Sequence, residues 1–128
     1  MSKITTHILD TAKGRPAEGV SVTLYRVEGL APAVETAIAG GRTNKDGRIA
    51  DWQEAGRAGS EATGVDAGGK PMQTDAGFYK IRFETRAYFE GIATFYPFVD
   101  IYFEVTGDGH YHIPLLISPF GYSTYRGS

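Results

Sequence analysis

Alternating β-branched and aromatic residues recur along the chain, at Ile4–Leu9, Val20–Val27, Phe78–Thr85, Phe98–Val105, Tyr111–Ile117 and Gly121–Tyr125. A period of two puts every other side chain on one face, the pattern of a half-buried strand and not of a helix. Between these runs lie Lys13-Gly14-Arg15-Pro16, Asn44-Lys45-Asp46-Gly47 and Thr106-Gly107-Asp108-Gly109, where Asn, Asp and Gly meet the backbone demands of tight turns. The pattern predicts an all-β fold, an antiparallel sandwich, in a single domain spanning residues 1–128. Only Arg86–Ala93 reads as helix, and Gly91 limits it to about two turns. From about residue 54 to 77 the composition turns to Gly, Ala, Ser and Asp, which reads as a long loop within the domain.

Charge and composition narrow the function classes. The formal net charge is −2, so there is no basic stripe to bind nucleic acid by counterion release. The absence of cysteine removes disulfides and thiolate zinc sites. No apolar run reaches the length of a membrane span, and Met1–His7 lacks the apolar centre of a signal peptide. A cytoplasmic protein with no membrane partner is expected.

Strand parity then exposes polar residues that a sandwich does not need. Ile4, Thr6 and Ile8 share one face of their strand, and Thr5, His7 and Leu9 share the other. Likewise Tyr111, Ile113, Leu115 and Ile117 form a core face, leaving His110, His112, Pro114 and Leu116 opposite. Outer faces carrying His7 and His112 beside Leu9 and Leu116 hold too little charge for a merely solvated surface, and suggest cover by another subunit. His110 and His112, spaced i, i+2, would suit a metal with His7 as a third ligand. No nearby carboxylate or thiol completes such a set, so a metal-free site with a neutral His as proton acceptor is expected. Arg48 closes the Asn44–Gly47 turn, where a guanidinium can grip a planar, carbonyl-rich or anionic ligand in two-point fashion, or pair with Asp51. The segment Ser118–Ser128 reads as a strand carrying Tyr125, Arg126 and the terminal carboxylate toward one place.

These motifs together resemble the 5-hydroxyisourate hydrolases of the transthyretin-like family. The match runs through Thr6-His7-Ile8-Leu9-Asp10-Thr11-Ala12 with Gly14-Arg15-Pro16-Ala17, Thr43–Arg48, Phe95-Tyr96-Pro97-Phe98-Val99, Tyr111–Pro119, and Gly121–Ser128 with its closing Tyr-Arg-Gly-Ser. The resemblance implies a transthyretin-like sandwich of seven to eight strands, assembled as a homotetramer with sites in a channel between dimers. It implies no cofactor, and hydrolysis of 5-hydroxyisourate to 2-oxo-4-hydroxy-4-carboxy-5-ureidoimidazoline in urate degradation. His7, Arg48 and His112 are the implied catalytic residues: one His activates water, and Arg48 orients substrate and stabilises the oxyanion. Tyr125, Arg126, Ser128, Leu116 and Ser123 are the implied substrate contacts. The stretch from about Ala55 to Gly77 is longer than the family's usual connection. The competing reading is a non-catalytic carrier of an aromatic or purine-like ligand on the same scaffold.

Overall fold

In the sequence Ile4-Thr5-Thr6-His7-Ile8-Leu9, Ile4, Thr6 and Ile8 are fully buried while Thr5, His7 and Leu9 are only partly covered, as parity requires. A computed structural model of the chain describes residues 2–54 and 72–128. Its elements are β1 (Ser2–Asp10), β2 (Arg15–Pro16), β3 (Ser21–Glu28), β4 (Val34–Arg42), β5 (Gln53–Glu54), β6 (Met72–Thr74), β7 (Gly77–Phe83), α1 (Thr85–Tyr88), β8 (Val99–Val105), β9 (Gly109–Ser118) and β10 (Gly121–Thr124).

Two sheets enclose the core. One runs β10-β9-β1-β2, with β6 also paired to β1, and the other runs β5-β4-β3-β7-β8. Ile4, Ile8, Ile113, Leu115 and Ile117 from the first sheet close on Val22, Leu24, Tyr79, Ile81, Phe83 and Val99 from the second, all buried. Burying a side chain of this size contributes roughly 1.5–3 kcal/mol, so the core supplies the stability that disulfides cannot.

The expected antiparallel order needs one correction. β1 and β9 are parallel, in register from Ser2 opposite Gly109 to Asp10 opposite Ile117. A parallel pair needs a long crossover between its strands, and here the whole second sheet provides it.

Other expectations shift in detail. β4 escaped the alternation test because Ala37, Ala39, Gly40 and Gly41 dilute the pattern of Val34, Thr36 and Ile38. Its ladder to β3, with an irregularity at Leu24/Tyr25, makes it a strand. The helix is shorter than expected, four residues instead of two turns, with its C-cap already at Phe89, after which the Glu90 and Ile92 amides donate three residues back, to Ala87 and Phe89. Tyr88 ties this short helix to β1, its hydroxyl donating to Asp10 Oδ2 at 2.6 Å while Asp10 Oδ1 accepts from the Ala12 and Lys13 amides. Burial, then that bond to Asp10, pushes the Tyr88 hydroxyl up to about 12. Of the expected loop at about 54–77, the two ends are strand: Glu54 closes β5, and Met72–Thr74 pairs with Ser2–Ile4. Residues 55–71 lie outside the described residues.

Candidate active site

The outer face of the β1–β9 pair is a grid whose rows follow from the register. Leu9 lies opposite Leu116, which lies opposite Ser123 of β10. In the next row His7 lies opposite Pro114, and in the next Thr5 lies opposite His112. The following row pairs Lys3 with His110. All three histidines of the chain therefore occupy one sheet face.

Arg48 reaches this grid through its turn. Asn44 Oδ1 accepts from the Asp46 and Arg48 amides at 2.9 and 3.1 Å, and the Asn44 amide donates to the Arg48 carbonyl at 2.8 Å. The closed turn docks on β1, where the Ile8 amide donates to the Gly47 carbonyl at 2.8 Å and Arg48 bridges to His7. Gly47 has φ of +75°, and a methyl group there would overlap the Ile8 carbonyl oxygen and sit 3.1 Å from Pro16 Cβ. Only glycine permits both the turn and its close approach.

The segment after β10 keeps the antiparallel register it began with. Thr124 faces Leu115, and Gly127 then bridges to His112, its amide donating to the His112 carbonyl at 2.8 Å. Ser123, Tyr125 and Gly127 thus share the outer face with His112, Pro114 and Leu116. Gly127 lies directly against the His112 ring: a methyl group there would overlap Cδ2 and sit 3.1 Å from Cγ. Tyr125 is 61 % exposed in the single chain.

Arg126 goes elsewhere. Expected among the substrate contacts, it alternates to the opposite side, where its guanidinium stacks 4.5 Å from the centre of the Tyr111 ring. There it lines a cleft of about 320 Å³ with Ile101, Phe103 and Ile113 at the edge between the sheets. His112 and Tyr125 border the same cleft, so Arg126 flanks the candidate site from its inner side. Ser128 is exposed just beyond Gly127.

The electrostatics favour neutral imidazoles. His112 is pushed below its ordinary value first by burial, then by the charges of Arg48, His110 and His7. His7 is lowered by burial and then by Arg48, against an opposing hydrogen bond to the Asp46 backbone. Both rings are therefore available as proton acceptors near neutral pH, with a fixed cation beside them.

Thr5 was not singled out by the sequence, and Gly47 was read only as a turn residue. Parity already put Thr5 on the face of His7, and the closing Tyr-Arg-Gly-Ser already contained Gly127, but their contacts depend on register. Among the described residues no cluster of three or more His, Cys, Asp or Glu side chains has the arrangement to hold a metal ion. Nor is any helix there long and apolar enough to cross a membrane.

Comparison with known proteins shows the family. The model of the HIUase/Transthyretin family matches residues 4–127. A protein of Schizosaccharomyces pombe described as a probable 5-hydroxyisourate hydrolase is 39% identical over 127 residues, covering 98% of this chain and 90% of that protein. The solved structure of Klebsiella pneumoniae 5-hydroxyisourate hydrolase is 37% identical, with a TM-score of 0.72 over 100% of this chain and 94% of the other. Transthyretin from Sparus aurata superposes with a TM-score of 0.73 at 29% identity, over 99% of this chain and 97% of that one. With the family model spanning the segments that carry His7, Arg48 and His112, the chain belongs to the HIUase/Transthyretin family.

Proposed function

We propose that the protein hydrolyses 5-hydroxyisourate to 2-oxo-4-hydroxy-4-carboxy-5-ureidoimidazoline, a step of urate degradation. The observation that carries this reading is the convergence of His7, His112 and Arg48 on one sheet face, with both imidazoles held toward the neutral form. Opening a cyclic amide needs a base for water, a proton for the departing nitrogen and a positive group beside the developing oxyanion. A neutral imidazole takes the proton of the attacking water, and Arg48 meets the carbonyl oxygen as it becomes negative. The second imidazole orients the ring or supplies the proton to nitrogen. Leu116, Ser123 and Tyr125 line the same face and contact the planar substrate, whereas Arg126 anchors the last segment from behind.

The working form is a homotetramer in the cytoplasm. Leu9 and Leu116 lie on the outer face only partly covered, and Phe120 in the β9–β10 turn is 67 % exposed. A parallel strand pair is ordinarily buried on both faces, so a second subunit over this face completes a channel around the histidines. A fully active monomer by sedimentation at assay concentration would move the site to a groove within one sandwich.

The direct test adds purified protein to freshly generated 5-hydroxyisourate and follows its ultraviolet decay against the spontaneous rate. Acceleration proportional to enzyme is expected. The scaffold shared with Sparus aurata transthyretin supplies the competing reading, a non-catalytic carrier, which saturable ligand binding without acceleration would establish.

A further inference from the structure

Thr5 stands between two histidines. Its Oγ1 lies 2.7 Å from His112 Nδ1 and 2.6 Å from His110 Nε2, and the two rings sit 5.9 Å apart. We propose that His110 and Thr5 form a proton relay behind His112, in which the hydroxyl dictates which nitrogen of His112 carries the proton. The inference rests on the hydrolase reading of this face and names the general base within it.

The argument starts from the donor count. A hydroxyl has one proton to give and lone pairs to receive. Placed between two ring nitrogens, it donates to one, so the other ring must donate to it. In the resting arrangement His112 Nδ1–H donates to the Thr5 oxygen, and Thr5 donates to His110 Nε2. His112 Nε2 then presents a bare lone pair on the side away from Thr5, as a general base requires.

The relay also resets the base as an acid. When Nε2 takes a proton from the attacking water, the water oxygen bonds to the amide carbonyl carbon. The Nδ1 proton passes to the Thr5 oxygen as the Thr5 proton passes to His110 Nε2. His112 is now neutral with Nε2–H, and the positive charge sits on His110. When the C–N bond breaks with its electron pair on nitrogen, that nitrogen takes the Nε2 proton and the chain of transfers runs backward. Protons and charge balance at each step.

The surroundings favour this direction of charge movement. A cation on His112 faces Arg48 from the turn and His7 from β1. His110 is exposed, with Lys3 as its register neighbour, and solvent screens a charge there far better. The depression of His112 by burial and by Arg48 agrees with a ring that sheds its second proton readily.

The test uses Thr5→Val, which removes the hydroxyl and keeps the shape, with Thr5→Ser and His110→Phe, each in the whole protein. Thr5→Val is expected to lower kcat about 10- to 100-fold, the usual loss when the group orienting a histidine is removed. KM should stay within about twofold of the parent, and Thr5→Ser should restore most of kcat. His110→Phe removes the terminal proton acceptor of the relay and should lower kcat, with KM likewise little changed. Residues acting as one chain are non-additive, so Thr5→Val with His110→Phe should be no slower than the worse single variant. Side-chain nitrogen NMR of substrate-free protein reads the relay without turnover: the parent should show His112 protonated at Nδ1, and Thr5→Val should lose that signature. If the parent hydrolyses nothing yet shows this nitrogen pattern, the substrate reading fails and the hydrogen-bonded chain stands. If Thr5→Val keeps the parent's kcat, pH profile and nitrogen pattern, or only lowers Tm, the relay is refuted.

Discussion

Gly127→Ala is a one-methyl perturbation whose consequence can be worked from the contact it disturbs. The added carbon overlaps His112 Cδ2 and sits 3.1 and 3.2 Å from Cγ and Cβ, inside the 3.4–4 Å of ordinary contact. Either the ring retreats or the last segment lifts away. Retreat by about 1 Å misplaces a reacting group, and displacements of that size cost on the order of 10²-fold in rate. It also strains the 2.7 Å contact between Thr5 and His112 Nδ1 on the other side of the ring. Lifting away sacrifices the 2.8 Å bond from the Gly127 amide to the His112 carbonyl, about 1 kcal/mol, and uncovers His112. Both routes predict kcat/KM down about 100-fold with Tm lowered by only a few degrees. Decay of freshly made 5-hydroxyisourate measures the first quantity and thermal melting the second. Gly121→Ala is the control, because its nearest neighbour would be Ser118 Oγ at 3.7 Å, and it should retain parental activity. Activity of Gly127→Ala within about threefold of the parent would refute the claim that this glycine holds His112 in place.

His7→Ala, His112→Ala and Arg48→Ala should each lose about 10²–10⁴-fold in kcat/KM while melting as folded proteins; near-normal turnover in any one removes that residue from the mechanism. Gly47→Ala combines backbone strain with overlap on Ile8 and should destabilise by about 2 kcal/mol or more in urea titration, with activity falling as Arg48 is displaced. Because His7 and His112 bind protons more weakly folded than unfolded, the unfolded state holds more protons as pH falls below 6.5. Stability should therefore decline below that pH, and the acidic limb of kcat/KM should have its midpoint below 6.5; a flat Tm from pH 7 to 5 would contradict this. Dialysis against chelator should leave turnover unchanged, and loss restored by zinc alone would recast the histidines as ligands.

The core and the polar face were legible in the sequence because both rest on strand parity. Ile4, Ile8, Ile113, Leu115 and Ile117 alternate against His7 and His112, and nothing in tertiary packing overrides a period of two. What parity leaves open is register. The sequence did not say that Thr5 would stand opposite His112, nor that Gly127 would land on that ring. The first depends on where strands far apart in the chain line up, the second on how far the β9–β10 hairpin register continues. β4 was illegible for a different reason: Ala39, Gly40 and Gly41 are buried by close approach, with Gly41 against Ile49, and small residues carry no pattern. The position of Arg126 could have been inferred once Tyr125 was placed, since adjacent residues of an extended segment face opposite ways.

The parallel pairing of β1 with β9 has a consequence for the order of events during folding. Thr5 and His112 are 107 residues apart, and closing a loop of that length costs roughly 4 kcal/mol in chain entropy. The β9–β10 hairpin closes between Ser118 and Gly121, at a cost of about 1 kcal/mol. Local hairpins can therefore precede the β1–β9 ladder, and contacts of such sequence separation are slow to form. The catalytic constellation is assembled by the most non-local ladder in the chain, so a nascent or partly refolded chain can hold most of its strands and still lack a site. Regain of turnover after dilution from denaturant should lag the recovery of β-sheet circular dichroism, making catalysis a reporter of topological completion.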